Sequence, residues 1–358
     1  MKRIISLVLV LLIFCTACQR KDVKDVKVAP KSDSYLLLVK SHGKFGFSNQ
    51  AGVMVVPAQY ENASLFSEGL AAVRQNGKDG YIDTKGNMII PPRFDAGSIF
   101  REGLAAVKSG NRWSYIDRNG KQITESRFIA TFAYLDGLSS VVVVEKDGYK
   151  AGYIDKTGTF AITPKFFDAS NFSEGLAAVK IGKKHGYIDK TGKMVIPVQF
   201  DSANPFRDGL ALVKINGIYG KVGYIDRTGT MVIPGIYENA TNFSEGIASV
   251  KKDNKWVLID KTGKQILNKQ YDSATIFTEG LAPVKVDGKV GYIDKQGKMV
   301  IDPKFDAGSI FVNGLAPVKL SDGCGYIDKK GKMVINPDFE WDGRVIDQYT
   351  SYYTTFPH

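Results

Sequence analysis

After residue 35 the chain alternates short apolar runs with clusters of glycine, proline and charged residues, and nothing in it sustains a helical period. Runs such as Leu176-Ala177-Ala178-Val179-Lys180, Tyr187-Ile188-Asp189 and Met194-Val195-Ile196-Pro197 are rich in β-branched and aromatic residues. Turn formers bound them, which predicts three short strands. Between the second and third strands, Asp189-Lys190-Thr191-Gly192 reads as a tight reversal. The aspartate accepts backbone N–H bonds, and the glycine takes the left-handed conformation that a bulged hairpin demands. Proline closes the third run at Pro57, Pro91, Pro164, Pro197, Pro234, Pro303 and Pro337, where ladder pairing should stop.

The pattern is periodic. Gly-Leu-Ala-x-Val-Lys begins, with small variations, at Gly69, Gly103, Gly175, Gly209, Gly280 and Gly314, with looser copies at Gly137 and Gly246. Successive glycines lie 34, 34, 38, 34, 37, 34 and 34 residues apart. Leu37-Leu38-Val39-Lys40 is an earlier copy, making nine units. Each continues as Gly-Tyr-Ile-Asp-x-x-Gly or a variant of it, as at Gly80 to Gly86 and Gly325 to Gly331, and the closing glycine is kept in all nine.

A unit of this size cannot bury both of its faces, so neighbouring units must stack. The expected fold is all-β: a tandem array of nine three-stranded β-hairpin repeats over residues 35–340, stabilised unit by unit. Propellers usually have about four to eight blades and often close by sharing a strand between the termini. Nine units that begin and end in the same phase leave no strand for that purpose. The phase therefore predicts an open β-solenoid, with a closed β-propeller as the alternative.

The N-terminus is of another kind. Lys2 and Arg3 precede Ile4 to Phe14, which is apolar except for Ser6, and this matches a secretion signal too short to span a bilayer. It ends in Cys15-Thr16-Ala17-Cys18, which resembles the lipobox of bacterial lipoproteins, although Cys15 stands where that family usually has leucine. The resemblance implies a signal peptide over residues 1–17, lipid on Cys18 and anchoring to a membrane of the cell envelope. An ordinary signal cut nearby is the alternative. Residues 18–34 are polar, charged and interrupted by Pro30, as expected of a flexible tether. Gln19 is similar to the sorting pattern of outer-membrane lipoproteins, should the host be Gram-negative.

Composition narrows the chemistry. Three histidines and three cysteines in 358 residues argue against a zinc ribbon or a disulfide framework. His42, His185 and His358 lie in unrelated settings and read as solvated. The recurrent aspartates, from Asp83 to Asp328, bring one carboxylate to each turn, so turn capping is expected in place of calcium binding. No P-loop, dinucleotide fingerprint or Gly-x-Ser-x-Gly elbow occurs. The reading is of a protein that is not an enzyme and needs no cofactor or metal. The formal charge of +11 comes largely from turn lysines, which serve solubility or present a positive stripe to anionic surfaces. Export argues against a nucleic-acid partner.

The Gly-Tyr-Ile-Asp-x-x-Gly core, with its flanking Ile-Pro and Phe-x-Glu-Gly-Leu-Ala segments, resembles the bacterial WG-repeat (KWG-repeat) proteins over about residues 36 to 340. The Trp position of that motif holds Phe45, Asp79, Trp113, Ala151, His185, Val222, Trp256, Val290 and Cys324. Only Trp113 and Trp256 keep the ring, and neither is followed by glycine. The resemblance implies repeat-mediated binding without a general catalytic activity. The hairpins also look like those of choline-binding repeats, which brings glycan into view.

Both length changes fall between the first and second strands and bring in Tyr149 and Tyr219; the same edge carries Trp113, Trp256 and His185. Aromatic rings at loop tips suit sugar or peptide contacts, whereas the tryptophans could instead belong to the core between units. Residues 341–358 break the pattern and are aromatic, as expected of a cap or docking tail. The expectation is thus an exported lipoprotein displaying a non-catalytic β-repeat scaffold for a protein or cell-envelope partner. The alternatives are a glycan- or peptidoglycan-binding module and a passive surface spacer.

Overall fold

The computed structural model describes residues 35–215, 220–321 and 323–339. These form nine small antiparallel sheets, one per sequence unit, each twisted into a blade. The blades begin at Leu37, Asn62, Ala96, Ala130, Asp168, Ser202, Asn239, Ser273 and Ala307, and are numbered 1 to 9 in that order. Blade 5 is representative. Its strands Asp168–Ala169, Leu176–Ile181, Lys184–Asp189 and Met194–Phe200 lie side by side in chain order.

Three strands of the unit are those its hydrophobic runs predict. The two-residue strand is additional, and it is too short to leave a period in the sequence. It pairs through Asp168 with Lys180 and through Ala169 with Val179. The fourth strand forms the perimeter and alternates buried and exposed positions, leaving Val195 and Val198 partly in solvent. Proline at this edge removes a donor from a strand that could otherwise template aggregation.

Glycine in the Gly-Tyr-Ile-Asp core has a steric cause. The fourth strand bulges between the pairs His185–Phe200 and Tyr187–Ile196. A Cβ on Gly186 would then stand 2.5 Å from the Ile196 carbonyl oxygen and 2.8 Å from the Val198 nitrogen. Blades 3 and 7 lack a regular fourth strand, keeping only isolated bridges from Trp113 to Phe128 and from Trp256 to Tyr271. They are also the two units that carry Ser114 and Val257 in place of this glycine, and that lack the proline. With no bulge pressing on the position, a side chain fits.

Each core cluster is shared between adjacent blades. Leu176, Tyr187, Ile196 and Phe200 of blade 5 pack with Phe206, Val213 and Ile225 of blade 6. The buried tyrosine of one blade also reaches into the next: Tyr187 donates its hydroxyl hydrogen bond to the Asn204 carbonyl at 2.7 Å and meets the Phe206 ring at 4.9 Å. Burial holds that hydroxyl protonated far above the usual phenol range.

The array closes into a ring, which corrects the expected open solenoid in favour of the propeller. Leu37, Val39 and Phe47 of blade 1 share one cluster with Val312, Tyr326 and Ile335 of blade 9. Tyr326 donates to the Leu38 carbonyl at 2.7 Å. Gly52 faces Ile335, as Gly192 faces Ile162 within the array. Closure needs no shared strand because every blade-to-blade contact is made by side chains across sheet faces. A complete ninth blade therefore meets the first as any blade meets its neighbour.

Candidate functional site

The ring has two faces of different construction. One carries the turns between third and fourth strands, where the aspartates act as caps. Asp189 accepts backbone N–H bonds from Thr191 at 2.9 Å and Lys193 at 3.1 Å, and the Thr191 hydroxyl at 2.6 Å. The threonine hydroxyl, with those amides, holds its pKa below the usual carboxylate value. On this face Glu102 adopts φ 51° and accepts the Gly137 N–H of the next blade at 3.1 Å, while Lys156 of that blade pairs with it at 3.0 Å. Lys190, Lys295 and Lys329 pair with Asp136, Glu245 and Glu279 in the same manner. These turn lysines are thus partnered across blade boundaries, which weakens the reading of a free positive stripe.

The opposite face carries the hairpins between second and third strands. Lysines beside their turns pair with the acid that follows the fourth strand, as in Lys184–Asp201 and Lys289–Asp306, both at 2.6 Å. The blade 4 hairpin is longer, with strands Ser139–Glu145 and Gly148–Ile154. It presents Tyr149 (63% exposed) opposite Val144 (53%), so the inserted residues put an apolar pair into solvent. Tyr219, from the second insertion, lies outside the described residues, as do Cys18 and the terminal segment 341–358.

Trp113 and Trp256 are placed in the core between blades. Trp113 packs with Phe128, Ile123 and Phe160, and Trp256 with Tyr271, Ile266 and Leu267. Both rings are partly buried against these clusters, and each backbone keeps a bridge to the aromatic residue that follows, Phe128 or Tyr271.

The Trp position of the repeat is more informative where it holds something else. It opens the third strand and faces the two-residue strand of the next blade, at the mouth of each blade boundary on the hairpin face. In blade 2, Asp79 is fully engaged: one oxygen takes Arg74 Nε at 2.7 Å and the other the Gly97 N–H at 2.9 Å. In blade 5 the same position is His185. Its Nδ1 is buried and has no hydrogen-bond partner. Burial, then Lys180, push its pKa below the ordinary 6.5, while Asp168 and the Asp201 and Phe200 carbonyls pull the other way. The solvated reading of His185 therefore fails, because the repeat register turns this position inward.

Around it is a cleft of about 180 Å³ lined by Asp168, Ser170, His185, Ser202, Asn204 and Pro205, together with Ala169, Ala178 and Ala203. The sequence reading missed Asp168 and Ser202. Their signal was available only in alignment: they occupy one register position of the two-residue strand, whose side chains change from blade to blade. Among the described residues, no group of three or more His, Cys, Asp or Glu side chains is placed to hold a metal ion.

A family model described as WG containing repeat matches residues 45–78, 80–113, 152–184, 186–219, 223–256, 258–289, 291–324 and 325–341. No match is found among curated proteins. Of the solved structures, a crystal structure of a eukaryotic initiation factor is 14% identical, with 75% of this chain covering 84% of that one at a TM-score of 0.55. Hsv2p of Kluyveromyces lactis is 8% identical, with 65% of this chain covering 92% of that one at a TM-score of 0.41. The dihydro-heme d1 dehydrogenase NirN is 16% identical, covering 78% and 76% of the two chains at a TM-score of 0.45. At these identities the first likeness supports the ring fold and nothing beyond it.

Proposed function

The chain belongs to the family of WG containing repeats, and from that premise we propose that it is a non-catalytic binding scaffold displayed at the cell envelope, with the hairpin face as its partner-facing surface. The observation that carries this reading is the asymmetry between the faces. On the turn face, acids, lysines and glycines repeat the same cross-blade contacts around the ring. On the hairpin face the blades differ: one hairpin lifts Tyr149 and Val144 into solvent, and the Trp position changes from aspartate to tryptophan to histidine. A scaffold repeats what holds it together and varies what it presents.

Display at the envelope is supported by the basic n-region, the apolar segment Ile4 to Phe14 and the lipobox-like Cys15 to Cys18. A lipid-bearing Cys18 followed by a polar tether would hold the ring clear of the bilayer, free to meet a protein or glycan partner. The catalytic alternative has little to stand on, since the turn aspartates are occupied as caps and Lys156, Lys190, Lys295 and Lys329 in ion pairs.

Photo-crosslinking in cells tests the proposal. A benzophenone amino acid at Tyr149 should trap a discrete envelope partner, and the same group at Asn119, on the turn face, should not. Equal trapping at both positions, or none at either, would leave a passive spacer as the better account.

A further inference from the structure

We infer that the cleft between blades 5 and 6 is a binding site for one neutral, hydroxyl-rich ring, a monosaccharide unit or cyclic polyol. The inference rests on the hairpin face being the binding surface, and gives that face a specific ligand site.

The cleft differs from the matching places at two other boundaries. The matching boundary between blades 2 and 3 keeps only about 70 Å³, because Arg74, Asp79 and the Gly97 N–H satisfy one another across it. Between blades 8 and 9 the Trp position is the buried Val290, and Gly308 lies close against its methyl group and the Tyr292 hydroxyl. Between blades 5 and 6 His185 Nδ1 is left buried without a partner. A buried polar atom in that state is costly unless something pairs with it. A ligand that supplies the pairing recovers that cost.

Size and chemistry then select the ligand. At about 180 Å³ the cleft is too large for one or two waters, each taking roughly 30 Å³, and too small for a chain-like ligand that needs about 300 Å³ or more. A single six-membered ring suits it. The Asp168 carboxylate accepts hydrogen bonds, the Ser202 hydroxyl donates or accepts, and neutral imidazole offers either at Nδ1 according to tautomer. The alanines and Pro205 provide apolar contact for the C–H faces of a ring. A small cation would meet Lys180, which is close enough to act on His185 and lies over the Phe167 ring at 5.1 Å. A small anion would meet Asp168. These opposite charges, both acting on His185, favour a neutral ligand with many hydroxyls.

Saturation-transfer NMR on the full chain tests this, with glucose, N-acetylglucosamine and myo-inositol as neutral probes and ethylammonium and acetate as charged ones. At least one neutral ring should bind at millimolar concentration, and Asp168→Ala, His185→Ala and Ser202→Val should each weaken it tenfold or more. Ala203→Leu, which fills the cleft and removes no polar group, should abolish it, so a folding defect in one variant does not end the test. Every variant is first checked for cooperative unfolding. No neutral probe binding, preference for a charged probe, or binding indifferent to all four substitutions would overturn the inference. Because Tyr149 crosslinking is scored separately, rings that bind without a trapped partner would sustain this site and remove only the wider proposal.

Discussion

The hydroxyl of Tyr326 and the backbone carbonyl of Leu38, 288 residues apart in sequence, are joined by a hydrogen bond of 2.7 Å. Six further tyrosines at the same repeat position, among them Tyr81, Tyr153 and Tyr292, make an equivalent bond to the following blade. The seam between last and first blades is thus built from the same kind of contact as the interior boundaries.

Removing the hydroxyl at the seam should cost what it costs inside the array. Tyr326→Phe and Tyr187→Phe are each expected to lower unfolding free energy by about 1 kcal/mol, somewhat more where the carbonyl is left buried and unsatisfied. Chemical denaturation compares them. A neutral Tyr326→Phe beside a costly Tyr187→Phe would mean that the seam is open.

The left-handed glycines of the repeat should divide by their neighbours. Gly103 has φ +86° and nothing near its missing side chain, whereas Gly229 has φ +88° and would place a Cβ 2.8 Å from an Ile196 methyl group. Alanine at Gly103 should cost about 1–2 kcal/mol from backbone strain alone. Gly229→Ala should cost roughly 1 kcal/mol more, from overpacking against the preceding blade. Equal losses in thermal or urea unfolding would deny the blade contact.

Much of this was legible in the primary structure. The spacing of Gly-Leu-Ala-x-Val-Lys gives the units, and the runs around Tyr187 and Ile196 give three of their strands. Closure was not legible, because it depends on side-chain surfaces such as Tyr326 and Leu38 meeting across sheet faces, and no strand or spacing encodes that. The two-residue strand Asp168–Ala169 is shorter than any periodicity can register. For Trp113 and Trp256 the sequence left a ligand ring and a core ring both open, and packing against the clusters between blades favours the second. The clue was already in those units, which lack both the glycine after the tryptophan and the later proline.

His185 should give the wild type an acid-side loss of stability. Its folded-state pKa is depressed by burial and by Lys180, partly offset by Asp168 and the Asp201 and Phe200 carbonyls. The unfolded chain, with a pKa near 6.5, therefore takes up the proton first. Stability should be full above that pH, fall as pH drops through it, and level off below the folded pKa. His185→Asn should flatten this step in urea titrations between pH 5 and 8. A step of the same size in the variant would assign it to another group.

Lipidation at Cys18 is the expectation raised by the lipobox-like Cys15-Thr16-Ala17-Cys18 segment. Metabolic labelling with an alkyne fatty acid should mark the wild type, and Cys18→Ala should abolish the mark and release the protein from the membrane fraction. Persistent labelling of the variant would contradict the assignment.

Ring closure is tested most directly by a distance across the seam, measured by double electron–electron resonance after replacement of the native cysteines. Spin labels at Val53 and Lys332 occupy matching turn positions in blades 1 and 9, and labels at Val53 and Asn87 give the reference for adjacent blades. The closed ring predicts overlapping distance distributions for the two pairs. An open stack of nine sheets spaced about 10 Å apart would instead separate Val53 from Lys332 by several times the reference distance, and that result would contradict the account.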